Sequence, residues 1–302
     1  MAAVTPMIAT PIMINPTTVF FTQNRWQITT TVVCSIVTEN GGTWIVTEQT
    51  PFHPVSHIWP DHPADRGDLV FQTEQYPVID CVVGAIEIAT QQLYIAADIP
   101  VKRDTDGWVF VVVHHIALAI TLCVGEEVTL VVDKAYQQSL SRGHSGGHLS
   151  SLALNKVLHT DFWRKDSSRC DELGHYDFHS YAQEKSIVSE NCSTDYYRLG
   201  KTLRKRGLNS SEMVANLAEI TLRMNQQLAQ WLLLATPIVM RREGDALTDS
   251  RYWQCDLGDE GIIEIPCGGT QATSLAEYHA LTVKFEIISE QEIVMITTAT
   301  VA

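Results

Sequence analysis

The sequence predicts an α+β protein in two parts: a small N-terminal β-barrel-like domain over residues 1–134, then an α+β domain over residues 135–302. Three observations carry this reading. Short segments rich in β-branched and aromatic residues follow one another up to Val132, with Gly, Pro, Asn and Asp clusters between them. The character changes after Asp133, where Ala135–Leu158 reads as a single helix. A second helix over Ser210–Ala235 is then followed by a return to strands.

The predicted strands of the first part are Thr17–Thr22, Trp26–Val37, Thr43–Thr47, Leu69–Gln72, Gly84–Ala89, Leu93–Ala97, Trp108–His114 and Glu127–Val132. So many short strands in succession suggest a small barrel or a strongly curved sheet. Val109–Val124 is the most apolar stretch; it is too short to span a bilayer and reads as two buried strands. In Ala135–Leu158, Gly143, Gly146 and Gly147 lower helix propensity and let another element approach the backbone. The polar, aromatic segment 159–208 reads as loops with one or two short strands. In the second helix Met213, Leu217, Ile220, Met224, Leu228, Trp231 and Ala235 draw one apolar stripe. Asn209 is its expected N-cap, with Glu212 three residues on, and Pro237 stops it. Strands are expected at Ile262–Ile265, Leu281–Ile288 and Ile293–Thr297.

The seven cysteines are odd in number, irregularly spaced and lack a CxxC pair. Reduced thiols in a cytoplasmic protein are therefore expected, most of them small buried hydrophobes. No secretory signal and no membrane span is evident. A net charge of −14 counts against extended contact with nucleic-acid phosphates, and DNA binding is not expected. Two local basic spots stand out, Lys201, Arg204, Lys205 and Arg206, then Arg241 and Arg242. Each also reads as a solvated face.

Two motifs carry chemistry. His144-Ser-Gly-Gly-His148 sets two imidazoles four residues apart, on one face of a helix. Pro266-Cys-Gly-Gly-Thr270 is a tight turn that exposes the Cys267 sulfur and leaves nearby N–H groups free. Imidazole and thiolate are the ligands Zn²⁺ prefers, and about four such groups close its shell. HxxxH alone is a common pattern in a chain with 11 histidines; Cys267 is what raises its weight. A rival cluster is His175, Asp177 and His179, which share a strand face if extended and otherwise form a polar face. His159 and His279 read as hydrogen-bonded structural residues.

HSGGH at 144–148 followed by PCGGT at 266–270 resembles the editing domain of alanyl-tRNA synthetase and its free-standing relatives, the AlaX-type trans-editing proteins. A related domain occurs in threonyl-tRNA synthetase. Supporting matches are Gly125-Glu-Glu-Val-Thr-Leu-Val-Val-Asp133, Thr50-Pro-Phe-His-Pro54, Pro63-Ala-Asp-Arg-Gly67 and Ser274-Leu-Ala-Glu277, so that the resemblance spans residues 45–280. It implies an editing domain whose HxxxH helix packs on an antiparallel sheet. It makes His144, His148 and Cys267 ligands of a Zn²⁺ cofactor. The family's fourth ligand, a histidine, falls on Gln271. Gln offers only a neutral carbonyl oxygen, and two outcomes are open. Either zinc keeps three protein ligands and an open water position, or its affinity falls and the site is often empty. Thr50 falls where the family contacts a serine hydroxyl, so Thr50 and Gln271 form the expected substrate-binding set. Val55-Ser-His-Ile-Trp-Pro-Asp-His62 stands in place of a glycine run, and bulky Ile58 and Trp59 are expected to fill space beside the substrate's terminal adenosine.

The resemblance implies a trans-acting aminoacyl-tRNA deacylase. Its partner is a tRNA acceptor end carrying a small amino acid, serine or glycine on tRNA specific for alanine. Candidates for the general base are Glu264 and His159, and the N–H groups at Gly268 and Gly269 are candidates for holding the oxyanion. Two alternatives stay open. One is a binding or regulatory module that has lost the metal; the other is a zinc hydrolase of a small ester or amide unrelated to tRNA.

Overall fold

The computed structural model describes residues 14–301 except His57 and Trp59. The architecture is α+β, with mostly strands and few helices. Its first half contains β1 (Thr18–Val19), β2 (Gln27–Val37), β3 (Thr43–Thr47), β4 (Gln49–Thr50), β5 (Gly67–Phe71), β6 (Glu74–Glu87), β7 (Gln92–Ile95), β8 (Trp108–Ile116) and β9 (Glu127–Val132). Strands β5, β9, β2, β3, β8 and β6 pair in that order, and β5 also pairs with β6, so the sheet closes into a ring. All of these pairings are antiparallel.

One strand makes the closure possible. The first residues of β6 pair with β5 and the rest with β8, with a register shift between Val78 and Asp80. Such an irregularity bends a strand enough to serve two neighbours. Beside that irregularity, at the start of β5, Gly67 pairs with both Val78 and Val132. A Cβ there would lie 2.1 Å from the Val131 carbonyl oxygen. Gly67→Ala is therefore expected to destabilise the fold by at least about 2 kcal/mol, read as an earlier urea midpoint. An unchanged midpoint would show that the seam opens freely.

The apolar run at β8 has a simple cause. Phe110 and Val112 belong to the main cluster with Ile28, Ile45, Leu69 and Leu130, while Val109, Val111 and Val113 join a second cluster with Val46 and Ile86. Both faces of β8 are covered, so its polarity does not alternate. The expectation of two strands over Val109–Val124 is corrected: one strand ends at Ile116, and Leu118 and Val124 are exposed.

The second half begins with α1 (Lys134–Asp161), capped by Asp133, whose side chain accepts from the Tyr136 N–H. It continues through α2 (Phe178–Ala182), β10 (Gln183–Ser189), β11 (Cys192–Arg198), α3 (Lys201–Arg206), α4 (Ser210–Ala215), α5 (Leu217–Leu232), β12 (Ile238–Arg242), β13 (Arg251–Asp256), β14 (Ile262–Pro266), β15 (Tyr278–Ser289) and β16 (Glu292–Val301). Strands β10, β11, β16 and β15 form an antiparallel sheet. Helix α1 packs on it. The glycines allow this approach: a Cβ on Gly143 would meet the Ser189 and Cys192 carbonyls, and one on Gly147 the Ser193 side chain. Strands β12, β13 and β14 form a separate three-stranded sheet.

The expected helix over Ser210–Ala235 is divided at Asn216 into α4 and α5, and its stripe from Met213 to Trp231 is buried. Asn209 caps it in position only, without a side-chain bond to the backbone. The strand expected at Thr17–Thr22 shrinks to β1 and a helical turn. The extended reading of His175–His179 is also corrected, because Asp177 caps α2 and His179 lies inside it. All seven cysteines are free, but only Cys81 and Cys255 are buried, fewer than expected. Among the described residues no helix is long and apolar enough to cross a membrane.

Candidate metal centre

His144 and His148 sit one turn apart in α1, with ring centroids 4.9 Å apart. Cys267 directly follows β14, and its N–H donates to the Arg251 carbonyl, which ties the turn to β13. The Cys267 Sγ lies 3.3 Å from His144 Nε2 and 3.4 Å from His148 Nε2. Two ligands on one tetrahedral Zn²⁺ ion, with bonds near 2.1 and 2.3 Å, would stand about 3.6 Å apart. The three side chains form a cluster that could hold a metal ion.

Burial lowers the proton affinity of both imidazoles, and at His148 the neighbouring Cys267 partly opposes this. Neutral imidazoles are the form a metal requires. The backbone selects the ring nitrogen: His144 Nδ1–H donates to the Thr270 carbonyl at 3.1 Å, leaving the Nε2 lone pair toward Cys267.

Gln271 belongs to this cluster. Its side-chain nitrogen is 3.1 Å from Cys267 Sγ, 3.2 Å from His148 Nε2 and 3.2 Å from His144 Nδ1. Since His144 Nδ1 carries its own hydrogen, the amide hydrogens go to the sulfur and to His148. The amide oxygen accepts from the Ser145 hydroxyl at 2.6 Å, and Ser145 Oγ in turn accepts from the Ala272 N–H.

The cluster forms part of the wall of a cavity of about 580 Å³ that both halves of the chain enclose. From the first half come Phe21, His53, Asp61, His62 and Arg103; from the second come His179, Gln183, Ser193, Asp195 and Arg251. The His62 ring packs edge-on against His53 at 4.3 Å and tilted against His144 at 5.1 Å. It donates from Nδ1 to the Pro63 carbonyl and accepts at Nε2 from the Thr270 hydroxyl. Burial holds His62 well below the usual histidine range and takes His53 down to about 3. The Asp61 carbonyl accepts from the Val188 N–H, which fixes this loop to β10.

The remaining sequence candidates divide. Gly268 and Gly269 line the cavity, and among the described residues their N–H groups make no backbone hydrogen bond. Glu264 lies outside it, gripped by Arg241 at 2.7 and 2.8 Å and by Gln254, so its carboxyl is held down to about 2. A group so firmly ionised is a poor base at neutral pH. His159 is eleven residues past His148, about 16 Å along α1, and accepts from the Tyr176 N–H. His279 is exposed on β15. Thr50 is corrected too: it is fully buried in the N-terminal core, bonded to His114 at 2.8 Å, and absent from the cavity wall. Ile58 is 62 % exposed and does not fill the cavity, while Trp59 lies outside the described residues. The Arg241–Arg242 spot is neutralised by Glu243, Glu264 and Asp245.

Sequence reasoning missed His53, His62, Ser145, Asp195 and Arg251, and it placed His179 in a rival cluster rather than on this cavity wall. His53 and His62 lay in quoted motifs, but nothing local shows that they reach α1. Behind His53, Asp65 accepts from the His53 N–H and from Gln137 Nε2, while its other oxygen is buried without a partner. Burial raises its carboxyl from 3.8 to about 7. The folded value lies above the unfolded one, so the unfolded chain loses this proton first as pH rises. Stability falls between pH 4 and 7, by about 4 kcal/mol for this group. Asp65→Asn is expected to raise the melting temperature at pH 8 but not at pH 4. Equal shifts at both would clear Asp65 as the cause.

No protein-family model matches the chain, and no curated protein matches it.

Proposed function

We propose that this protein is a zinc-dependent aminoacyl-tRNA deacylase acting in trans, which hydrolyses the ester of tRNA for alanine mischarged with serine or glycine. The observation that carries the reading is the convergence of His144, His148 and Cys267, from separate segments, on the wall of one cavity. Two imidazoles and a sulfur are a donor set suited to Zn²⁺ rather than to Mg²⁺ or Ca²⁺, which take oxygen ligands. Zinc bound there would supply Lewis acidity beside the ester carbonyl. The chain's own residues supply position. Gly268 and Gly269 offer backbone N–H groups, which are the usual means of holding a developing oxyanion. The two halves together shelter the ester, and the exposed Arg103 offers a cation to a phosphate at the cavity mouth.

The test offers the zinc-loaded protein tRNA mischarged with serine and follows release of the amino acid. Turnover above buffer, with alanine-charged tRNA spared, is the expected result. No turnover sinks the proposal. Hydrolysis of serine methyl ester without hydrolysis of the tRNA would move the protein to the small-ester class.

One observation favours a second reading. The Gln271 amide already bonds to Cys267 and His148, which suits a binding module that works without a metal. A metal count on the protein as isolated separates the two.

A further inference from the structure

We propose that Asp195 is the anionic pole of the cavity and binds the ammonium group of a small primary amine, the α-amino group of the aminoacyl ester if the deacylase reading holds. Strand β11 sets the geometry. Ser193, Asp195 and Tyr197 alternate with outward residues and are all buried. Ser193 and Asp195 lie on the cavity wall with Gln183, Ser186 and His179.

Asp195 is only 2 % exposed, yet it makes no ion pair among the described residues. Its two oxygens accept from neutral donors alone, Gln183 Nε2 at 2.8 Å and Ser193 Oγ at 3.1 Å. The register shift at Gln183 in the β10–β11 pairing lies at that donor. A carboxylate has about four acceptor positions, so two remain. Burying a carboxylate without a cation is costly, and the missing charge is one a ligand can supply. The nearby His179 forms no ion pair with it: its Nδ1 meets the Tyr197 hydroxyl at 2.9 Å, and burial lowers the ring's proton affinity, an effect that Asp195 and Asp177 oppose without reversing it.

The ligand class follows from charge and size. Asp61 and Asp249 line the same wall, but an ammonium at Asp195 balances that carboxylate alone, whereas a divalent hard cation takes six to eight oxygens or an octahedral shell. The serine hydroxyls of Ser151, Ser186 and Ser193 line the same space and suit a small hydroxylated amine. The carboxylate thus gives the pocket a way to reject neutral molecules of equal shape.

The experiment titrates the protein as isolated with serinol, and with glycerol as its uncharged counterpart, by calorimetry. Serinol is expected to bind at least tenfold more tightly. Asp195→Asn keeps the shape and removes the charge, so the preference should fall to within twofold while metal content stays the same. Gln183→Lys places a tethered ammonium beside the same carboxylate and should abolish the preference as well. Equal binding of the two probes by the unaltered protein, no binding of either, or a tenfold preference surviving in Asp195→Asn overturns the proposal. The unaltered protein's ratio decides even if a variant fails to fold. A serinol preference in a protein that leaves mischarged tRNA intact would remove the deacylase reading and leave this one standing.

Discussion

His148→Ala is expected to remove the metal and, with it, any hydrolysis. The cluster offers three good ligands, and this change leaves two from different elements, His144 on α1 and Cys267 after β14. Even outer partners of a metal ligand are worth about 10–100-fold in affinity, so losing a direct ligand costs more. Stoichiometric zinc in the unaltered protein should fall to trace amounts after dialysis, measured by mass spectrometry of the metal. Release of serine from mischarged tRNA should fall to the background rate. The fold should survive. The His148 ring packs against Trp253 at 5.1 Å, and a truncation beside that core costs about 2 kcal/mol, which circular dichroism on heating will show as a modest shift. Full retention of zinc in the variant would mean that the ion sits elsewhere and that the convergence of imidazoles and sulfur is a hydrogen-bonded accident.

That convergence was legible because each half of it is local. HxxxH on a helix fixes two side chains on one face, and a Pro-Cys-Gly-Gly turn exposes a sulfur whatever the rest of the chain does. Strands β3 and β9 were legible to the residue: β-branched and aromatic residues between polar turns mark β3, and alternating burial marks β9. The failures share a cause in long-range effects. The first half of β6 contains Pro77 and polar residues, and only its place at the ring seam makes it a strand. Strand β13 begins with Arg251, a residue type that sequence rules put outside. It is 6 % exposed because its guanidinium donates to the carbonyls of Ala246, Leu247 and Asp249. His62 meets Thr270, 208 positions away, and no spacing rule reaches that far. Thr50 failed for the opposite reason. Its motif suggested a substrate contact, but its hydroxyl is already used by His114 and by the Phe52 N–H.

Gln271→His is expected to raise zinc affinity by at least tenfold, read by competition with a coloured chelator. The argument begins from where the Gln271 amide stands, 3.1–3.2 Å from Cys267 and from both imidazoles. The side chain therefore faces the position a cation would take, yet it turns hydrogens toward it. For the amide oxygen to face the ion, the group must rotate and give up its 2.6 Å bond from Ser145. The reward is a neutral oxygen, which a borderline-soft ion accepts poorly. Histidine removes both obstacles: it brings a nitrogen lone pair and has no hydrogen that must point at the metal. Ser145 loses an acceptor in the exchange but keeps the Ala272 N–H, so the cost is that of one hydrogen bond, about 1 kcal/mol. Gln271→Leu separates the two effects. It removes the competing hydrogens without adding a ligand, and affinity should change far less than with histidine. Unchanged affinity in Gln271→His would show that position 271 lies outside the shell and that the native centre is complete with three protein ligands.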